Sequence, residues 1–166
     1  MAEITLGGNP VHTGGDLPGA GDTAPDFTLT GIDLGAVSNG DYSGQNLILN
    51  IFPSIDTPTC ATSVRTFNAK AAEMENTSVL CVSADLPFAQ KRFCGAEGIE
   101  NVATASTFKN PEFLANYGVD MLDGPLQGLA ARAVVVVGPD GQVTHSELVS
   151  EIAQEPNYDA AIAALG

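Results

Sequence analysis

The stretch that decides the fold runs from residue 47 to residue 60 and reads Leu47-Ile48-Leu49-Asn50-Ile51-Phe52-Pro53-Ser54-Ile55-Asp56-Thr57-Pro58-Thr59-Cys60. Residues 47–52 are apolar and β-favouring and end at a proline, which predicts a central strand buried on both faces. Thr57 followed by Pro58 predicts a helix start, with threonine at the N-cap and proline at the first helical position. The stretch therefore predicts a strand that leads into a helix, with Cys60 in the first turn of that helix.

The same kinds of pattern predict the other elements. Alternating residues around Gly7 and Gly8 predict a β-hairpin over about residues 3–13, followed by a loop over residues 14–23. The many turn-forming residues between 31 and 44 predict an irregular connection. Further strands are expected at residues 26–30, 79–82, 102–108, 133–137 and 143–149, and further helices at residues 87–94, 111–117 and 158–165. This alternation predicts an α/β protein with a thioredoxin-like fold, in which helices flank a central mixed β-sheet and the N-terminal hairpin is an addition.

Length and charge limit what the chain can be. Its 166 residues suit a single domain over residues 1–166. Twenty acidic residues against six basic ones give a net charge of −14, which argues against nucleic acid or a membrane surface as a partner. No secretory signal or membrane span is recognisable, so we expect a cytoplasmic protein. His12 and His145 lack ligand spacing to any cysteine, which argues against a metal site, and no cofactor is expected.

Cys60 is the candidate nucleophile. A helix N-terminus presents unpaired backbone amides and a partial positive charge, and both favour the reactive thiolate. Alternatively, Cys60 is a small buried apolar residue, which is the common fate of a free cysteine. Asp56 is a mild counterargument, because a neighbouring carboxylate disfavours a thiolate, unless its side chain points away. Ser63 stands where a dithiol oxidoreductase has its second cysteine, which argues against simple thioredoxin chemistry.

The residues 53–60 match the peroxiredoxin signature of proline, three residues, threonine, two residues and cysteine. Longer segments extend the match across nearly the whole chain: Ser83-Ala84-Asp85-Leu86-Pro87-Phe88-Ala89-Gln90, Arg92-Phe93-Cys94-Gly95-Ala96-Glu97-Gly98, Asp123-Gly124-Pro125-Leu126 and Gly128-Leu129-Ala130-Ala131-Arg132-Ala133-Val134-Val135. In these segments the chain resembles the thiol peroxidase branch of the peroxiredoxins, the atypical two-cysteine type.

This resemblance implies roles for five residues. Cys60 would be the peroxidatic cysteine, Thr57 and Arg132 its pocket partners, Pro53 its shield from water, and Cys94 the resolving cysteine. Hydroperoxide would oxidise Cys60 to a sulfenic acid, Cys94 would form a disulfide with it, and thioredoxin would reduce that disulfide. The resemblance also implies a homodimer without bound cofactor.

Other interpretations remain open from the sequence. Cys94 could be a packing residue at a helix end, and Arg132 could be a surface cation. Cys81, between Leu80 and Val82, is expected to be a core residue. A glutathione-type peroxidase or general disulfide reductase would share the thiolate chemistry but not these motifs. A non-enzymatic peroxide sensor or disulfide relay could use the same two cysteines.

Overall fold

The computed structural model describes residues 1–166 and is built around a seven-stranded β-sheet. The strands are β1 (Glu3–Leu6), β2 (Asn9–His12), β3 (Thr28–Gly31), β4 (Ala36–Ser38), β5 (Asn46–Ile51), β6 (Thr77–Ser83), β7 (Ala103–Ser106), β8 (Ala133–Val137) and β9 (Val143–Leu148). The helices are α1 (Pro58–Ala71), α2 (Pro87–Glu97), α3 (Glu112–Asn116) and α4 (Tyr158–Ala163).

The sheet is mixed, as predicted. Its strand order is β4-β3-β7-β6-β5-β8-β9. The central strands β5, β6 and β7 are parallel to one another, and the other neighbours pair antiparallel. Parallel neighbours need a crossover connection, which α1 provides between β5 and β6 and α2 provides between β6 and β7.

The predicted N-terminal hairpin is confirmed as a separate two-stranded sheet of β1 and β2. Gly7 and Gly8 form its two-residue turn, and both have positive φ, as a tight hairpin turn requires. The hairpin is tied to the body of the protein by His12, whose Nδ1 lies 2.7 Å from Asp123 Oδ2. The backbone amide of His12 also donates to Asp123 Oδ1 at 2.8 Å.

The expectation of an irregular connection over residues 31–44 is wrong. This segment contains β4, which pairs antiparallel with β3, and a short 3-10 helix at Asn39–Tyr42. A tight turn joins β3 to β4, with Leu34 at positive φ and the Gly31 amide donating to the Gly35 carbonyl. β4 has only three residues and follows glycine and aspartate residues typical of a turn, so the sequence pattern does not distinguish it from the turn.

The sheet separates two apolar layers, and alternation along β5 determines which residue faces which layer. Leu47, Leu49 and Ile51 belong to a cluster of 23 buried residues that includes the hairpin and α3. Ile48 and Phe52 belong to a cluster of 14 buried residues on the other face, together with residues of α1, α2 and α4. The helices that carry Cys60 and Cys94 therefore cover the same face of the sheet.

Strand register determines which residues meet at the end of the sheet where β5 ends. Ile51 pairs with Ala133, so the residues that follow β5 lie beside the residue that precedes β8, which is Arg132. The parallel strand β6 ends at Ser83, next to Ser106 of β7. No helix in the structure has the length and apolar character to cross a membrane.

Candidate active site

Cys60 is the third residue of α1 and its side chain is fully buried. Thr57 is the N-cap residue, as predicted, but its side chain does not cap the helix. The Thr57 hydroxyl instead donates to the Ser54 carbonyl at 3.1 Å. Because the first-turn amides of a helix have no intrahelical acceptors, the helix N-terminus that carries Cys60 has a partial positive charge.

Arg132, the residue immediately before β8, reaches the Cys60 sulfur. Its Nη2 donates to Cys60 Sγ at 3.2 Å, and its Nε donates to the Ile152 carbonyl at 2.8 Å. The side chain is only 2% exposed, so the interpretation of Arg132 as a surface cation is wrong. Its Nη1 is also buried and has no hydrogen-bond partner. A buried donor without a partner is costly, which suggests that a ligand oxygen accepts from it during function.

Pro53 and Asp56 lie on the turn between β5 and α1. Pro53 is buried at the end of the central strand, next to the start of the turn. Asp56 forms an ion pair with Arg92 at 3.1 Å, and both side chains are about two-thirds exposed (61% and 64%). The Asp56 carboxylate is therefore paired at the surface, as expected if it does not oppose a thiolate at Cys60.

Cys94 lies in the last turn of α2, and its half-buried side chain packs against the same apolar cluster as Cys60. Its sulfur is free rather than bonded to Cys60. Burial raises the pKa of the Cys94 thiol, while the neighbouring Thr104 hydroxyl lowers it by a smaller amount. The structure thus brings Thr57, Arg132 and Cys60 together and leaves Cys94 on the adjacent helix.

Cys81 is a core residue, as predicted. It is fully buried in β6, and burial raises the pKa of its thiol to about 12. The Asn50 side-chain amide lies 3.7 Å from its sulfur and partly offsets that effect.

Sequence reasoning missed a set of polar side chains beneath the turn between β5 and α1. The Asp85 carboxylate accepts hydrogen bonds from the Ser54 hydroxyl and from the Ile55 amide. Ser83 and Gln90 extend this set toward α2. Polar residues at the end of β6 and just after it are the signal in the sequence for this set. Residues that follow adjacent parallel strands meet at one edge of a sheet, so these residues are expected to lie near the turn that follows β5.

Comparison with known proteins identifies the family of this chain. The redoxin family profile matches residues 19–162. A thiol peroxidase of Mycobacterium tuberculosis strain H37Rv is 62% identical over 166 residues, which is 100% of this chain and 99% of that protein. The chain belongs to the thiol peroxidase family. A thiol peroxidase of Mycobacterium bovis matches with the same identity and coverage.

Solved structures agree with this family assignment. A peroxiredoxin-like protein from Aquifex aeolicus superposes with a TM-score of 0.91 at 40% identity, covering 98% of this chain and 95% of that one. A thiol peroxidase from Chromobacterium violaceum superposes with a TM-score of 0.90 at 21% identity, covering 97% and 93%, which shows the shared fold. The predicted thioredoxin-like fold is confirmed, and the chain is a peroxiredoxin-type oxidoreductase of the thiol peroxidase family.

The environments of Cys94 and Cys81 predict different reactivity toward iodoacetamide. In a Cys60→Ser variant, Cys94 should be alkylated in the native protein, at a rate that increases from about pH 7 to about pH 10 as its thiolate forms. Cys81 should be alkylated only after unfolding, since it is fully buried and its pKa is raised to about 12. Peptide mass spectrometry measures both rates. Equal labelling of the two cysteines under native conditions would show that Cys81 is accessible to the reagent in the folded protein.

Proposed function

We propose that the protein reduces hydrogen peroxide and alkyl hydroperoxides, with the Cys60 thiolate as the attacking group. The sulfur attacks the terminal oxygen of ROOH, so an S–O bond forms as the O–O bond breaks. The products are a sulfenic acid on Cys60 and RO⁻, which takes up a proton to give the alcohol, or water when the substrate is hydrogen peroxide. The hydroperoxide is reduced by two electrons and the sulfur is oxidised by two.

The contact between Arg132 and Cys60 is the observation that carries this proposal. A guanidinium at 3.2 Å from the sulfur favours the thiolate over the thiol. The unpartnered Nη1 supplies a second donor on the same planar group. In the proposed transition state this donor stabilises the negative charge that develops on the departing oxygen. The Ile152 carbonyl holds the guanidinium in place, so little reorganisation is needed when the substrate arrives.

Thr57 and Pro53 fit supporting roles. The Thr57 hydroxyl donates its proton to a hydrogen bond with the Ser54 carbonyl. The lone pairs of the hydroxyl oxygen are therefore available to accept a hydrogen bond from the O–H of a hydroperoxide. The buried ring of Pro53 limits the access of bulk water to the turn. The apolar side chains of Phe52 and Ile55 lie in the same cluster as Cys60, which suits an organic hydroperoxide.

Cys94 is proposed to resolve the sulfenic acid. Its thiol would attack the Cys60 sulfur, forming a disulfide and releasing water. A disulfide requires the two Cα atoms to lie within about 7 Å. Because the two cysteines lie on different helices and are not bonded in the structure, we expect the start of α1, the end of α2 or both to unfold locally as the bond forms. Thioredoxin is the proposed reductant, with the electrons supplied by NADPH. Three free cysteines also suit the reducing cytoplasm, which is the proposed compartment.

Coupled turnover tests the proposed function. NADPH oxidation with thioredoxin, thioredoxin reductase and cumene hydroperoxide should proceed with the wild type and stop with Cys60→Ser. Cys94→Ser should consume about one equivalent of hydroperoxide and then stall, because its sulfenic acid has no resolving partner. Cys81→Ser is the matched control and should keep turnover within about twofold, since a buried core thiol takes no part in the reaction.

Two outcomes would contradict this proposal. Full activity of Cys60→Ser would show that the nucleophile is misassigned. A wild type that is oxidised once and passes its disulfide to another protein, without sustained hydroperoxide consumption, would favour a peroxide sensor or disulfide relay.

A homodimer is also proposed, through an apolar surface near the active-site end of the sheet. Leu86, Phe88 and Phe108 follow the adjacent strands β6 and β7, and their exposed fractions are 50%, 68% and 42%. These residues follow strands that are neighbours in the sheet, and large apolar side chains at a surface are typical of a protein interface.

Sedimentation velocity tests the dimer. The wild type should sediment as a dimer, and Phe88→Ser should weaken association by about tenfold or more, since buried aromatic residues dominate interface energetics. Ile32→Ser, which changes an exposed apolar residue on the turn between β3 and β4, should leave the dimer intact. A monomeric wild type, or equal effects of both variants, would contradict this surface.

A further inference from the structure

The half-buried carboxylate of Asp85, beneath the Cys60 turn, accepts three hydrogen bonds. Asp85 Oδ1 accepts from the Ser54 hydroxyl at 2.8 Å. Asp85 Oδ2 accepts from the Ile55 amide at 2.7 Å and from the Ser83 hydroxyl at 2.6 Å. All three donors point at one side chain, and two of them belong to the turn that leads into α1.

The same carboxylate is connected to α2. The only proton of the Ser83 hydroxyl goes to Asp85, so Ser83 must act as the acceptor toward Gln90, whose Nε2 lies 3.1 Å away. The Gln90 Nε2 also donates to the Ala105 carbonyl at 3.0 Å. Gln90 is fully buried in α2, four residues before Cys94. A continuous chain of hydrogen bonds, buried at Gln90 and partly buried at Asp85, therefore runs from α2 to the turn before α1.

On the other side, the chain continues to the pocket itself. Ser54, held by Asp85, offers its carbonyl to both the amide of Thr57 at 3.2 Å and the hydroxyl of Thr57 at 3.1 Å. The backbone carbonyl of Thr57 accepts from the Ala61 amide in the first turn of α1. The position of the Thr57 hydroxyl thus depends on Ser54, and the position of Ser54 depends on Asp85.

We infer that Asp85 is a positioning residue that holds the Cys60 turn in its reactive arrangement and couples that arrangement to the folded state of α2. This inference rests on the proposed function of Cys60 and Cys94. Asp85 touches neither sulfur nor substrate; it acts through Ser54 and Ile55 on one side and through Ser83 and Gln90 on the other. When the turn loosens around oxidised Cys60, the carboxylate loses its donors from the turn, and Ser83 and Gln90 lose a fixed partner. The release of α2, which carries Cys94, then becomes easier, because such coupling acts in both directions.

Asp85→Asn separates this role from a simple charge effect. The Ile55 amide can only donate, and an asparagine offers one acceptor oxygen in place of two, so at least one donor loses its partner. Loss of positioning predicts a rate constant for Cys60 oxidation by hydrogen peroxide that is about tenfold to a hundredfold lower. A purely electrostatic role predicts the opposite, because removal of a negative charge favours a nearby thiolate. The rate is measured by quenched flow and mass spectrometry in a Cys94→Ser background.

The matched control is Asp56→Asn, which removes a carboxylate charge from the turn that Asp85 supports. The Asp56 side chain makes only the exposed ion pair with Arg92, so its substitution should change the oxidation rate by about twofold at most. Ser54→Ala is a milder test that removes one of the three bonds to Asp85, and it should give a smaller decrease than Asp85→Asn. It also keeps the inference testable if Asp85→Asn fails to fold.

Hydrogen exchange provides a readout that does not depend on activity. In Asp85→Asn, peptides that cover residues 53–60 and residues 87–97 should both exchange faster than in the wild type, while Asp56→Asn should affect them little. Gln90→Met, which keeps the side-chain volume but removes the amide, should speed exchange in residues 87–97 and, to a lesser degree, in residues 53–60.

Two results would overturn the inference: faster exchange in residues 53–60 alone, or an oxidation rate in Asp85→Asn equal to or above that of wild type. If the wild type shows no oxidation of Cys60 at all, the proposed function fails, and the exchange comparison still decides whether Asp85 couples the two segments.

Discussion

The contact between the Arg132 guanidinium and the Cys60 sulfur is the interaction on which the rest of the site depends. It brings a buried cation to a buried sulfur at a helix N-terminus. Such an arrangement needs compensation, since a buried charge is costly without partners. The Ile152 carbonyl provides one partner, and the thiolate form of Cys60 would provide the charge that balances the guanidinium. In the proposed function this guanidinium distinguishes Cys60 from a core cysteine such as Cys81, whose sulfur contacts the Asn50 amide instead.

The sheet makes this contact possible. The antiparallel pairing of β5 with β8 aligns Ile51 with Ala133, which places Arg132 beside the turn that carries Pro53. Residues of α1 and α2 pack on the same face of the sheet, so Cys60 and Cys94 contact one apolar cluster. Two kinds of contact join the turn and α2: the partly buried hydrogen bonds of Asp85, and the exposed ion pair of Asp56 with Arg92. The hydrogen bonds of Asp85 are expected to dominate, because exposed ion pairs contribute little to stability.

Much of this architecture could be predicted from the sequence, because it depends on local patterns. The apolar run of β5 and the Thr57-Pro58 pair give a strand followed by a helix start, and the position of Cys60 follows directly. The strand β4 was missed because three residues between turn-forming segments carry too short a pattern, and it is stable only through its pairing with β3. The side chain of Thr57 was expected to cap α1 but bonds to Ser54, which depends on the conformation of the turn. The sequence alone gives no role to Asp85 and Gln90, because their contacts join segments that are about 30 and 15 residues apart in the chain.

The most direct test of the account is the rate constant for oxidation of Cys60 by hydrogen peroxide at neutral pH, compared between Arg132→Met and Arg65→Met in a Cys94→Ser background. Both substitutions remove one arginine, but Arg65 lies on the outer side of α1 with about half of its side chain exposed, where it pairs with Glu97. We expect a decrease of about a hundredfold or more for Arg132→Met, with Arg132→Lys between it and the wild type and Arg65→Met close to the wild type. Thermal unfolding of each variant confirms that folded proteins are compared. A wild-type rate in folded Arg132→Met would contradict the claim that this guanidinium activates Cys60.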